Sequence, residues 1–240
     1  MASEYLKQKY KDVKPDVPCE LTKAEKRKNW WHYHKWHVVV AVVLVLIAAD
    51  LVWGLLGRGE PKPDYQIAYV GANALPDDTA TAVEAAFAAL GEDLNGDGEI
   101  VVKLVQYASS GGTDAQTVMA TEVRLMADLT ECGSYFFLLE DPERFQLNYG
   151  TLRRLDGSLP VEAGTSGEGM YLAWEECPVL AGMALGEYAY PLMGETVTGS
   201  SDDLLSTLYI ARRGFWTEKT APHPEGCEAL WEKITEGAVS

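Results

Sequence analysis

Residues 93–100 read DLNGDGEI, a pattern typical of the start of an EF-hand-type calcium-binding loop. Oxygen-bearing side chains stand at alternate positions of this segment: Asp93, Asn95, Asp97 and Glu99. Hard cations prefer such clustered oxygen ligands, with a glycine where the loop bends. The twelfth position of the loop, which should hold a bidentate carboxylate, is Leu104. The pattern therefore indicates either a weak calcium site or a polar turn between a helix and a strand, and we favour the turn.

Signatures of nucleotide binding and of nucleophilic catalysis are absent from the sequence. There is no P-loop and no G-x-G-x-x-G, and residues 164–168 (GTSGE) lack the last glycine of a nucleophile elbow. After residue 57 the only histidine is His223, so a His-based triad or a zinc cluster lacks its ligands. We expect a protein that is not an enzyme and that uses no cofactor other than the weak calcium.

Three strands and two helices alternate between residues 65 and 140. The strands are expected at residues 65–72, 100–107 and 134–140, which are apolar and rich in β-formers. One helix is expected after Pro76 and another after a Thr-x-x-Gln capping box at residues 113–116. This βαβαβ order predicts an α/β domain with a parallel sheet. The second half gives weaker signals: a short strand or helix at 170–174, a helix or strand at 204–210, and a closing helix at 227–236.

Ligands of open α/β sheets bind beyond the carboxyl ends of the strands. Five polar or aromatic side chains are expected at those ends: Asn73, Tyr107, Ser109, Ser110 and Asp141. They could bind a small polar ligand, and they are also ordinary loop-forming residues, the interpretation that we slightly favour.

Residues 38–57 (VVVAVVLVLIAADLVWGLLG) form an apolar run that is long enough to cross a membrane. At about 1.5 Å per residue, such a helix matches the roughly 30 Å hydrocarbon core of a bilayer. Asp50 is its only charged residue, either a contact with a partner helix or a tolerated acid near the interface. Residues 47–49 (IAA) are a poor cleavage site behind an unusually long N-terminal region, so we predict an uncleaved signal-anchor.

Charge is distributed unevenly about this span. Residues 1–37 hold nine Lys and Arg against five acids, whereas residues 58–240 hold 11 against 30, a net charge of −19. The positive-inside rule then places residues 1–37 in the cytoplasm and the C-terminal domain outside the cell membrane. The acidic balance argues against a nucleic-acid partner. The sequence thus predicts a cytoplasmic segment (1–37), a span in the lipid bilayer (38–57), a linker (58–64) and an extracytoplasmic domain (65–240).

Aromatic residues and histidines cluster just before the span: Trp30, Trp31, His32, Tyr33, His34, Trp36 and His37. Such rings suit the headgroup layer, so we interpret them as interfacial anchors. The alternative, a metal site, has two histidines on one helix face and nothing to complete the ligand set.

Farther along the chain, three cysteines are expected outside the membrane, and Cys177 with Cys227 is the pair that we would choose for a disulfide bridge.

The segment that follows the second helix carries a family resemblance. Residues 134–157 read SYFFLLEDPERFQLNYGTLRRLDG: an apolar strand, a short helix and a G-x-L-x-x-L-D stretch at 150–156. Over residues 65–157 the chain resembles the first lobe of bacterial extracellular solute-binding proteins, the receptors of ABC importers. The resemblance implies a binding domain without catalysis. Two features depart from the family: residues 58–240 have room for one lobe only, and an uncleaved helix replaces the usual secretory or lipoprotein anchor.

Three functions are compatible with these observations. The first is a membrane-anchored, extracytoplasmic binding or sensing module that resembles a single solute-binding lobe. The second is a structural or assembly protein whose acidic outer domain and Asp50-bearing helix dock onto a membrane-protein partner. The third, an extracytoplasmic enzyme, is the one we favour least.

Overall fold

The computed structural model describes residues 22–55, 62–109, 115–160, 166–192, 195–214 and 219–238. The chain divides into two compact units, Met1–Glu60 and Pro61–Ser240.

The first unit contains helix α1 (Lys23–Leu55), which begins well before the predicted span. A Thr-x-x-Glu capping box starts it: the Thr22 backbone N–H donates to the Glu25 carboxylate at 2.9 Å, and the Glu25 N–H donates to the Thr22 hydroxyl at 3.4 Å. The Thr22 backbone donor lowers the pKa of the Glu25 carboxyl. Within the helix, the rings of Trp30 and His34 stack with their centroids 5.0 Å apart.

Helix α1 is long and apolar enough to cross a membrane. Its most apolar 18-residue stretch has a mean hydropathy of 2.2, and none of that stretch is buried by protein. The predicted span is thereby confirmed as a candidate membrane helix near the N-terminus. A signal sequence near an N-terminus is also apolar enough to meet this criterion.

The second unit is built on a mixed five-stranded sheet and a separate hairpin. The strands are β1 (Tyr65–Gly71), β2 (Val102–Ala108), β3 (Phe136–Leu139), β4 (Tyr171–Ala173), β5 (Glu187–Leu192), β6 (Glu195–Ser200) and β7 (Tyr209–Arg212). The sheet order is β2-β1-β3-β7-β4, and β5 pairs with β6. The helices of this unit are α2 (Asp77–Leu90), α3 (Ala115–Glu131), α4 (Pro142–Tyr149), α5 (Pro178–Ala181), α6 (Ser201–Leu205) and α7 (Pro224–Ile234).

The first half of the domain confirms the predicted βαβαβ unit. Strand β1 lies in parallel between β2 and β3, so that Ile67 is opposite Leu104 on one side and Phe136 on the other. Helix α2 connects β1 to β2, and α3 connects β2 to β3. Parallel neighbours require such crossover helices. The three carboxyl ends therefore meet at one edge of the sheet.

The second half corrects the prediction of a purely parallel sheet. Strand β7 pairs antiparallel with β3, and β4 pairs antiparallel with β7. The ambiguous stretch at 204–210 divides into the end of α6 and the start of β7, and 170–174 contains β4. Both strands are so short that their residue pattern contains no information about direction. The closing helix begins at Pro224, three residues earlier than predicted, with proline in its first turn.

Apolar side chains cover both faces of the sheet, because successive residues of a strand point to opposite faces. Ile67 and Tyr69 of β1 belong to the core that α2 and α7 cover, whereas Ala68 belongs to the core under α3 and α4. Phe87 of α2 and Trp231 of α7 are buried in the first core. Burying one such side chain contributes roughly 2–3 kcal/mol.

Asp64, placed in the linker by the sequence analysis, belongs to the folded domain instead. It is 2% exposed, and its two carboxylate oxygens accept backbone N–H groups of Leu94, Asn95 and Val101 at 2.8–3.0 Å. A buried carboxylate needs such donors in place of water. The loop between α2 and β2 is thus tied to the start of β1.

Candidate functional site

A cleft of about 550 Å³ opens at the carboxyl ends of β1, β2 and β3. Helices α3 and α4 form its sides. Its apolar surface comes from one residue of β1, two of α3 and one of α4: Val70, Val118, Leu125 and Phe145. This is the place where open α/β sheets bind ligands, and its size is within the range of small-molecule sites.

Glu140, directly after β3, lines the cleft and is held there by uncharged donors. The Tyr69 hydroxyl lies 2.8 Å from Glu140 Oε1, and the Ala72 backbone N–H donates to Glu140 Oε2 at 2.8 Å. A side chain at Gly71 would clash with both the Tyr69 hydroxyl and the Glu140 carboxylate. Burial is the main cause that raises the pKa of Tyr69, and the neighbouring Glu140 carboxylate raises it further, so the phenol keeps its proton. Glycine at position 71 therefore permits the arrangement that fixes Glu140.

Glu122 of α3 faces α4 across the cleft. The Tyr149 hydroxyl donates to Glu122 Oε2 at 2.6 Å, which links the two helices. Burial raises the pKa of Tyr149 to about 12, and the Glu122 carboxylate acts in the same direction. The Tyr149 ring also packs against Phe145, with centroids 5.0 Å apart. A carboxylate and an aromatic wall are thus held side by side.

Asp141 caps α4 and lines the cleft at the same time. Its Oδ1 accepts the backbone N–H of Arg144 at 3.0 Å, Pro142 follows in the first helical turn, and Gly150 ends the helix in the left-handed conformation. The Arg144 side chain also lines the cleft and is exposed. Within the part of the chain that the structure describes, its guanidinium makes no hydrogen bond or ion pair.

Tyr107, at the end of β2, lines the cleft and is nearly fully buried. The guanidinium of Arg124 lies 5.7 Å from the centre of its ring. Burial raises the pKa of Tyr107, and the nearby Asp128 carboxylate raises it further. The phenol is therefore an uncharged donor at neutral pH.

Three of the five predicted ligand residues are brought together in this cleft: Tyr107, Ser109 and Asp141. Asn73 is exposed and does not line the cleft; its backbone carbonyl lies 2.8 Å from the Tyr69 hydroxyl. Ser110 lies outside the described residues. Four other residues line the cleft and were not predicted as ligand residues from the sequence: Glu122, Glu140, Arg144 and Tyr149. Only Glu140 had a usable signal, since it ends the third predicted strand.

The predicted calcium loop is closed by its own backbone. Asp93 accepts N–H groups of Gly96 at 2.6 Å and Gly98 at 2.9 Å, and these donors, Gly98 first, lower the pKa of its carboxyl. Asn95 accepts the Asp97 N–H, and Asp97 accepts the Glu99 N–H. Within the described ranges, no three acidic, His or Cys side chains lie close enough to share a metal ion. These contacts are those of a polar turn, and calcium binding stays a prediction.

The expected bridge between Cys177 and Cys227 is absent, because both are free and buried in the same core. The Cys227 thiol instead lies 3.6 Å from the Pro222 carbonyl. Burial raises the pKa of Cys177 to about 11 and that of Cys227 to about 12, so both stay protonated. Both cysteines act as apolar core residues.

No protein-family model matches the chain, and no curated protein or solved structure matches it significantly. The resemblance to a solute-binding lobe stays a prediction from residues 65–157.

Proposed function

We propose that this protein is a membrane-anchored, extracytoplasmic module that binds or senses a small ligand and does not catalyse a reaction. The single observation that supports this function best is the cleft of about 550 Å³ at the carboxyl ends of three parallel strands. Its surface combines apolar side chains with a few polar groups, of which Glu122, Glu140 and Tyr149 are held in place by hydrogen bonds. That combination is typical of ligand pockets.

Helix α1 supplies the anchor in this proposal. Its apolar side chains are uncovered by protein, which is costly in water and favourable in lipid. The basic excess in residues 1–37 favours a cytoplasmic N-terminus, and the C-terminal unit is then exposed to ligands outside the cell membrane. The loose resemblance to one lobe of a solute-binding protein agrees with this function.

A thermal-shift screen of the full chain in detergent tests the function. Sugars, amino acids, amines and short peptides are added, and a compound present at 100 times its dissociation constant should stabilise the domain by about 2.7 kcal/mol. Val118→Trp should abolish this shift because the larger side chain fills the cleft. Val123→Trp is the matched control, since Val123 is on the same helix, 63% exposed and outside the cleft.

Two results would overturn the proposal. One is a screen in which no compound stabilises the protein, and the other is a shift that persists in Val118→Trp. Either result would favour the second hypothesis, a structural or assembly protein. The observation that favours this alternative is a row of exposed apolar residues on α3: Met119, Val123 and Met126.

A further inference from the structure

The three acids of the cleft lack a cationic partner, as do most acids of the described part of the domain. Glu92 pairs with Lys233 and Glu131 with Lys219, each at 2.8 Å, and Glu228 pairs with two arginines. Among the described residues, Glu122, Glu140 and Asp141 form no ion pair.

The hydrogen-bond donors that hold these three acids are neutral. They are the Tyr149 hydroxyl for Glu122, the Tyr69 hydroxyl and the Ala72 N–H for Glu140, and the Arg144 backbone N–H for Asp141. Such donors orient a carboxylate and leave its charge in place. With three carboxylates and one guanidinium, the cleft lining has a formal charge of −2. A concave surface of one sign attracts ligands of the other sign.

We propose that the cleft recognises a small organic cation, an amine or ammonium group attached to an apolar body. This inference rests on the proposed function and adds the chemical class of the ligand. The ammonium group would lie against Glu122 or Glu140, because the three acids of the lining do not converge on one point. The apolar body would contact Val118, Leu125 and the rings of α4. Aromatic faces add to the attraction for a desolvated cation.

The charge of the whole domain supports a cation over an anion. Residues 58–240 hold 30 acids and 11 bases, so the long-range field repels anions and steers cations inward. Arg144 is the one base of the lining among the described residues, and it is exposed to water. Glu122, Glu140 and Asp141 are exposed as well, so water screens charges of both signs alike, and the excess of acids over bases decides the sign of the cleft.

The spacing of the acids favours an organic cation over a metal ion. In the described part of the chain, no three acidic, His or Cys side chains converge closely enough to hold a metal. A hard metal ion needs several oxygen ligands at distances of about 2.0–2.6 Å. An ammonium group accepts hydrogen-bonding and longer contacts, and its apolar body uses the rest of the cleft surface.

The test compares three probes of similar size on the full chain in nanodiscs at neutral pH. Benzylamine is the cation, benzyl alcohol the neutral analogue and benzoate the anion, and ligand-observed NMR gives the affinities. We expect benzylamine to bind about tenfold more tightly than benzyl alcohol, as one or two partly exposed charge contacts would give. Benzoate should bind most weakly, and added salt should weaken benzylamine alone.

Matched variants locate the contact. Glu122→Gln with Glu140→Gln should weaken benzylamine about tenfold. Glu131→Gln with Glu232→Gln changes the net charge equally outside the cleft and should have no effect, which controls for the general field. If the first pair unfolds the domain, Glu122→Gln alone serves, because the amide oxygen still accepts the Tyr149 hydroxyl.

Several results would overturn the proposal that the ligand is a cation. They are no binding of benzylamine, equal or tighter binding of either other probe, or equal weakening by both pairs of variants. If a neutral or anionic compound stabilises the wild type and fails to stabilise Val118→Trp, the ligand of the cleft is not a cation. The proposed binding function would then still hold.

Discussion

The Asp64 carboxylate is the acceptor for three backbone N–H groups of the loop between α2 and β2. Its oxygens accept the N–H groups of Leu94, Asn95 and Val101, and the residue is 2% exposed. Asp64→Ala leaves these donors without their acceptor, so we expect a loss of about 3 kcal/mol of unfolding free energy. Thermal and urea unfolding of the full chain in detergent, followed by tryptophan fluorescence, measures it.

The matched control for this prediction is Asp97→Ala. Asp97 is in the same loop, is exposed, and accepts only the Glu99 N–H, so little change is expected. Equal stability of the two variants would contradict the role of Asp64 and return it to the linker.

Single residues also show how far the site could be predicted. Tyr107, Ser109 and Asp141 were found because the carboxyl ends of parallel strands meet, a rule that needs only the order of elements. Glu122 could not be found, since it is one of 30 acids after residue 57, and only the approach of α3 to α4 selects it. Asn73 was predicted from its amide side chain and its place after β1, and it does not line the cleft.

At the scale of elements, α7 is fastened to β7 by a charge pair. Arg212 of β7 is 3% exposed; its guanidinium binds the Glu228 carboxylate and lies 5.2 Å from the centre of the Trp231 ring. The Tyr135 hydroxyl also donates to Glu228. Glu228→Gln removes the charge opposite a buried arginine. Because Glu228 is 30% exposed, we expect a reduced cost of about 2 kcal/mol of unfolding free energy, measured by urea unfolding.

Glu232→Gln is the control for α7. Glu232 is exposed on the same helix and forms no ion pair with a described residue, so its stability change should stay within about 0.5 kcal/mol. If Glu228→Gln is no more destabilising than this control, the pair does not fasten the helix.

The elements divide sharply into those that the sequence predicts and those that it does not. Strands β1, β2 and β3 and helices α2 and α3 have clear hydrophobic periodicity and end at Gly, Pro or Asp signals, so their order and partners could be predicted. Strands β4 and β7 have three and four residues, and their pairing depends on contacts distant in the chain. The buried Arg212 made β7 still less recognisable as a core strand.

At the scale of the whole molecule, the charge on the two sides of the apolar run predicts topology. Nine bases against five acids precede the run and 11 against 30 follow it, so the N-terminus should stay in the cytoplasm. With an epitope tag at each end, the mature protein should keep both tags and resist carbonate extraction, with the mass of the 26.3 kDa chain plus tags. Protease added to intact cells, after removal of any wall, should destroy the C-terminal tag alone. Permeabilised cells are the control, in which both tags should be digested. Loss of the N-terminal tag during maturation would identify residues 38–57 as part of a cleaved signal sequence, and protection of the C-terminal tag would reverse the orientation.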